Sequence, residues 1–226
     1  MSGLDALKTF APLSPRRTGV VRHRVVTIPI DPGHGGRDRG AAGRSLIEKF
    51  ATLMLANRLK RVLEGCGYQV RLTRGRDCCL PLADRCRIQK QHQSDLFVSI
   101  HFNAAVKSDF HGVETFALTP AGAASTSGGP PSNKALAGNR FDANNLLLAY
   151  SIQRALLGRT RAFDRGVKRA RFAVLKDIAA PGVLVEVGFV SNPREERLML
   201  DPGYRERIVR GIAEGIVIYH RTMSRR

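Results

Sequence analysis

The chain has 226 residues, 43% hydrophobic and 25% charged, an ordinary balance for one globular core and short for two. Thirty-seven Lys and Arg against 19 Asp and Glu give a formal net charge of +18, a field that draws polyanions such as nucleic acid, acidic lipid or an anionic cell-wall polymer without choosing among them. No run approaches the ~18 apolar residues of a membrane span, and the first residues, with Asp5 and Lys8 and no continuous apolar stretch, do not read as a secretory signal.

Residues 1–24 are expected to be a mobile lead-in without periodicity. The apolar run Val25 to Ile30 then predicts a first strand buried on both faces. It ends in Asp31-Pro32-Gly33-His34-Gly35-Gly36, so His34 is held at the rim of a sheet, where open α/β folds keep their ligands. The Gly-rich loop from Gly33 to Ser45 is expected to wrap that position closely. From Glu48 onward, Phe50, Leu53, Met54, Leu55, Leu59, Val62 and Leu63 recur at helical spacing until Gly65 and Gly67 stop the helix. Glu48 falls in its first turn, a place an acid also takes simply to satisfy the helix dipole. Tyr68 to Thr73 alternates as a second strand, so strand, helix and strand form a parallel crossover. A second helix opens at Pro81 and runs to about His92 with Leu82, Cys86 and Ile88 inward. Asp95 to Ile100 is a third strand, delivering His101 at its end as the first delivers His34.

Gly112 to Leu118 predicts a fourth strand. Residues 119–140, rich in Gly, Ser, Ala and Pro, predict a flexible rim or lid. That segment contains no Asp or Glu and so lacks the carboxylate with which a self-inhibiting segment would plug a metal site. A helix follows from Asp142 to Leu157, short strands at Phe172 to Leu175 and Val183 to Val187, a helix from Asn192-Pro193 to Leu200 and a last helix from about Pro202 to Tyr219. Residues 221–226 form a basic tail. The order predicts one α/β domain over residues 25–220, a mixed, mostly parallel sheet of about six strands flanked by helices. Arg154 to Lys176 carries eight basic residues and one acid, Asp164, and reads equally as a solvated face or a polyanion surface. Cys66, Cys78, Cys79 and Cys86 match no C-x-x-C metal pair and are expected to be free thiols.

Two strands that each end in a histidine, with one acid nearby in sequence, point to a shared site. His34, Glu48 and His101 make a three-ligand zinc set with the fourth position open to water, the arrangement of catalytic rather than structural zinc. Val183-Leu184-Val185-Glu186-Val187 ends another apolar run with a lone acid, and Glu186 can be the proton-transfer group beside the metal. The competing reading makes Glu186 a strand-end acid paired with one of the many arginines. No G-x-S-x-G elbow and no cysteine opposite a histidine support a nucleophile mechanism, and His23, His92, His111 and His220 receive no role.

Asp31-Pro32-Gly33-His34-Gly35-Gly36, Glu48-Lys49, Ser99-Ile100-His101-Phe102-Asn103-Ala104 and Val185-Glu186-Val187-Gly188-Phe189-Val190-Ser191-Asn192, in this order, resemble a zinc-dependent N-acetylmuramoyl-L-alanine amidase of the Amidase_3 type. The likeness runs from Val25 to Tyr219 and extends to Leu72-Thr73-Arg74 and Phe172-Ala173-Val174-Leu175. It implies zinc on His34, Glu48 and His101, Glu186 as catalytic acid/base, and cleavage of the amide between the lactyl group of N-acetylmuramic acid and L-alanine in peptidoglycan. It also implies action outside the cytoplasmic membrane, although no signal is visible here. Phe50 and Phe102 depart from the family pattern and are expected to narrow or grease the groove. The basic surface is expected to hold anionic wall polymer. No substrate-binding residue is assigned, and the need for an activator protein stays open. The alternatives are a non-hydrolytic wall-binding or regulatory domain on the same fold and, from charge alone, a nucleic-acid binder. For the latter no helix-turn-helix, zinc-finger or RNP-type pattern is present, so no nucleic acid is expected.

Overall fold

The structure, a computed structural model, describes residues 26–126 and 128–224. The expected lead-in and the last residues of the tail lie outside the described residues. Among the described residues thirteen elements follow one another as β1 (Thr27–Pro32), α1 (Glu48–Gly65), β2 (Gln69–Leu72), α2 (Leu82–Gln91), β3 (Phe97–Asn103), β4 (Val113–Leu118), a 3-10 turn (Ala137–Phe141), α3 (Asp142–Thr160), β5 (Asp164–Ala170), α4 (Ala173–Lys176), β6 (Gly182–Phe189), α5 (Pro193–Leu200) and α6 (Pro202–Met223). The strands form one sheet in the order β2-β1-β3-β6-β4-β5. All neighbours are parallel except β4 and β6, which run antiparallel. The expected α/β architecture with a mixed, mostly parallel sheet is what the chain adopts.

Side-chain alternation along the strands sorts the molecule into two layers. Val98, Ile100 and Phe102 of β3 and Val183, Val185 and Val187 of β6 face a large core with α1, α3 and α6. The opposite face carries Phe97, Phe116, Leu118 and Leu184, covered by Cys86 of α2 and by Val174 and Leu175 of α4. That second cover stops short. Beyond it on the same face, by alternation, stand Glu114, His101 and Glu186, where the strands turn polar. The candidate chemistry sits on this half-covered face, where His101 and Glu186 are partly exposed.

The strand expected at Phe172 to Leu175 is instead the short helix α4, and the fifth strand is Asp164–Ala170. The physical reason is that β5 is an edge strand. Only Ala170 in it is fully buried, so its sequence DRGVKRA carries no apolar alternation, whereas α4 must pack Val174 and Leu175 under the sheet. A short apolar run does not distinguish strand from helix by period alone. The inward face of α2 also differs from expectation: Arg85, Cys86 and Gln89 are buried and Leu82 is exposed. Here a buried arginine takes an inward position because loop carbonyls need it, as described below. The ring of Phe102 lies in the large core, so it lines no groove, while Phe50 is exposed beside the Lys49 ammonium. The last helix continues through Met223, past the expected end at Tyr219, and so takes in the start of the expected basic tail.

Residues 119–140 hold one 3-10 turn and are tied to β5 and its exit: Thr126 N donates to the Arg169 carbonyl, and Arg171 Nη2 donates to the Ala123 carbonyl at 2.6 Å. All four cysteines are free thiols.

Helices α3 and α6 approach so closely that a Cβ built on Gly215 would lie 2.4 Å from the Ile152 Cα. Elsewhere in a helix interior, Gly→Ala stabilises by about 1 kcal/mol through propensity. At this crossing the contact atom is backbone and cannot swing away, so Gly215→Ala is expected to destabilise by about 1–3 kcal/mol. A fall in the urea unfolding midpoint checks the sign.

Candidate metal centre

The loop after β1 is shaped before it presents any side chain. Gly33 N donates to the Ile100 carbonyl at 3.0 Å, and His34 takes a left-handed φ of 62°, rare for a residue with a side chain. Two buried arginines hold the turn from beneath. Arg85 donates to Asp31 Oδ1, to the Pro32 carbonyl and to the His34 carbonyl at 2.7–2.8 Å. Arg74 donates to the Pro32 and Gly33 carbonyls at 3.0 and 2.7 Å. Asp31, wholly buried, also accepts from Ser99 Oγ at 2.7 Å and Thr73 Oγ1 at 2.5 Å. Such a ring of charge-assisted bonds offsets the cost of the strained backbone at His34. On the far side, Lys49 Nζ bonds the Gly36 carbonyl and Asp77 at 2.9 and 2.6 Å.

Into this frame the three expected ligands converge. His34, Glu48 and His101 each offer a ligand atom, and these atoms all lie within 4.8 Å of one another. Glu48 Oε1 is 3.1 Å from His34 Nε2 and 3.0 Å from His101 Nδ1. The remaining Glu48 lone pairs are oriented by backbone: Phe102 N donates to Oε1 at 2.9 Å and Ala41 N to Oε2 at 2.7 Å. His34 Nδ1 meets Asp38 Oδ2 at 2.9 Å, which fixes the ring with Nε2 inward, the outer-shell arrangement of histidine metal ligands. A Cβ on Gly33 would fall 2.3–2.6 Å from the His101 ring, so only glycine leaves the imidazole its place. Two imidazoles and one carboxylate with these supports match the donor set of an open zinc site.

Burial alone would raise the Glu48 pKa, but bonds from His101, His34 and the Phe102 amide outweigh it and hold the carboxyl at about 2. Burial likewise pulls His34 down, and Glu48 and Asp38 win, leaving it above its ordinary 6.5. In the metal-free protein the depressed Glu48 group adds stability present above its ordinary 4.5 and lost as pH falls toward about 2. The raised His34 group acts in the other sense: its contribution is present below 6.5 and lost as pH rises through the raised value. Metal-free Glu48→Gln is therefore expected to unfold at lower urea than metal-free wild type at about pH 6, the gap closing toward about pH 2. Urea titrations across that range check it.

Glu186 stands next to His101 in the register of β3 and β6, and next to Glu114 in the register of β6 and β4. Its Oε2 is buried and has no hydrogen-bond partner among the described residues. Burial first, then the charges of Glu48 and Glu114, push its pKa well above the ordinary carboxyl range. It is paired with no arginine among the described residues. The arginine-paired acid of this row is Glu114, buried and bonded by Asn103 Nδ2 at 2.7 Å, Arg165 Nε at 3.0 Å and Lys168 Nζ. Sequence reasoning missed Glu114, although a lone acid inside the apolar run VETFAL is the same signal that singled out Glu186. It also gave no role to Asp38 and Arg85, which act on the site through His34.

The family profile described as N-acetylmuramoyl-L-alanine amidase, Amidase_3, matches residues 28–217. Among relatives, N-acetylmuramoyl-L-alanine amidase AmiA of Escherichia coli is 35% identical over 217 residues, covering 85% of this chain and 75% of the relative. LytC of Bacillus subtilis, with the same enzyme name, is 35% identical over 195 residues, 86% of this chain and 36% of the longer relative. The solved structure of N-acetylmuramoyl-L-alanine amidase from Clostridium difficile 630 superposes with a TM-score of 0.76 at 29% identity, over 88% of this chain and 99% of that one. A match along almost the whole sheet, together with the same enzyme name on relatives above 30% identity, places this chain in the Amidase_3 family of N-acetylmuramoyl-L-alanine amidases.

Proposed function

We propose that the protein is a zinc-dependent N-acetylmuramoyl-L-alanine amidase. It hydrolyses the amide between the lactyl group of N-acetylmuramic acid and L-alanine in peptidoglycan, in wall turnover, cell separation or lysis. The observation that carries this reading is the convergence of His34, Glu48 and His101 beside half-buried Glu186, whose Oε2 has no hydrogen-bond partner among the described residues, within a chain of this family. When bound, zinc supplies Lewis acidity and lowers the pKa of water toward ~7. The chain's own residues do the rest. His34, Glu48 and His101 hold the ion, with Asp38 keeping His34 in the binding tautomer. Glu186 takes the proton of the attacking water and hands it to the departing L-alanine nitrogen. In the metal-free protein burial and the charges of Glu48 and Glu114 raise its pKa, while a bound cation would pull it the other way.

His101 and Glu186 are partly exposed on the half-covered face, which leaves them accessible to an extended polymer lying across the strand ends. Action outside the cytoplasmic membrane follows from where that polymer is found. The basic surface, from a chain with net charge +18, would hold anionic wall polymer. Incubating the zinc-loaded protein with purified sacculi and weighing the fragments by mass spectrometry tests the reaction. Free stem peptides with a new L-alanine amino terminus support it. Binding to sacculi without release of peptides favours the non-hydrolytic alternative.

A further inference from the structure

The polar row on the half-covered face does not stop at Glu186. It continues to Glu114, and Glu114 gathers two cations from the edge strand β5, Arg165 and Lys168. One carboxylate against two cations leaves the group with a net charge near +1. Arg165 spends Nε on Glu114 and makes a long 3.4 Å contact from Nη1 to the His111 carbonyl, leaving Nη2 without a partner among the described residues. Its guanidinium lies against two neighbouring rings, 5.2 Å from the centre of Phe110 and 5.0 Å from that of Phe189. Both cations are partly open to solvent, at 22% for Arg165 and 27% for Lys168. A preorganised fork with a free edge, next to an ammonium with donors to spare, is what a carboxylate ligand needs.

We propose that Arg165 and Lys168 bind a carboxylate of the stem peptide, the α-carboxylate of the residue after L-alanine, and so set substrate preference. The proposal rests on the amidase reading above. Its geometry follows from the sheet: β5 lies two strands beyond β6, roughly 10 Å across at ~4.8 Å per strand. A peptide extending from an amide at Glu186 covers roughly 7 Å in two residues, before side chains and the long arms of Arg and Lys close the remainder. The charge argument agrees. The Glu114 cluster, one carboxylate against two cations, is the positively charged end of this row.

The test uses two synthetic muramyl peptides identical except that the α-carboxyl of the second stem residue is free in one and amidated in the other. With the free acid, Lys168→Met is expected to raise KM about tenfold, equivalent to one lost carboxylate contact, with kcat changed less than about twofold. With the amidated peptide, KM is expected to stay at the wild-type value. Arg165→Lys, which keeps the charge and loses the fork, is expected to raise KM on the free acid by less than Arg165→Gln does. Equal losses on both peptides, or none on either, would overturn the proposal and leave the amidase reading intact. Failure of the wild-type protein to cleave either peptide would overturn the amidase reading itself.

Discussion

Glu186→Gln is expected to lower turnover on peptidoglycan by about 10²–10⁴, the range lost when a positioned acid/base is removed. The amide keeps the shape and the polarity of the side chain but can neither accept nor deliver a proton. Because Glu186 is not one of the three converging ligands, zinc content is expected to remain that of the wild type. The fold has little reason to weaken. Glu186 Oε2 makes no hydrogen bond among the described residues, so no network loses a member. Replacing a carboxyl whose ionisation is disfavoured by burial and by the charges of Glu48 and Glu114 with a neutral amide costs the fold little, and the thermal midpoint is expected to hold or rise. Turnover, zinc analysis and a melting curve on one preparation check the three outcomes together. Wild-type turnover in the variant would remove Glu186 from the mechanism.

The second large effect is expected at a residue without a side chain. Gly33→Ala puts a methyl 2.3–2.6 Å from three atoms of the His101 ring, below any real Cβ contact. The imidazole must move away, and with it the ligand geometry. Zinc affinity is expected to fall by at least about 10–100-fold, the loss typical when even an outer-shell partner of a metal ligand is removed. Activity is expected to follow, while the sheet stays folded because the displaced group is on the half-covered face, outside the large core. Gly65→Ala is the control: nothing lies within 4 Å of the added carbon, so affinity is expected to be unchanged. Competition for zinc against a chelating dye measures both.

Much of the site was legible in the chain because strand alternation and strand ends are local properties. His34 and His101 each close an apolar run, and Glu186 interrupts one, so they stand out as site candidates before any fold is known. The fold class was legible for the same reason, since strands buried on both faces read as continuous apolar runs joined by helices. What escaped was decided by tertiary position. Strand β5 is at an edge, half-exposed and basic, so its sequence resembles a surface loop; its pairing with β4 supplies order that its composition does not advertise. Helix α4 is apolar for packing beneath the sheet, and that was indistinguishable from a short strand. Arg85 on α2 was not among the inward positions expected there, Leu82, Cys86 and Ile88, yet it is buried and donates to the carbonyls of Pro32 and His34. A buried cation whose partners are loop carbonyls leaves no periodic trace.

The most direct measurement is an X-ray absorption spectrum at the zinc edge of the loaded protein, taken with zinc content per chain. One zinc per chain, coordinated by two imidazoles and by oxygen, with both imidazole signals reduced to one in His34→Ala and in His101→Ala, is the expected result. A sulfur shell from Cys78 or Cys79, or an imidazole count unaffected by either substitution, would contradict the centre described here.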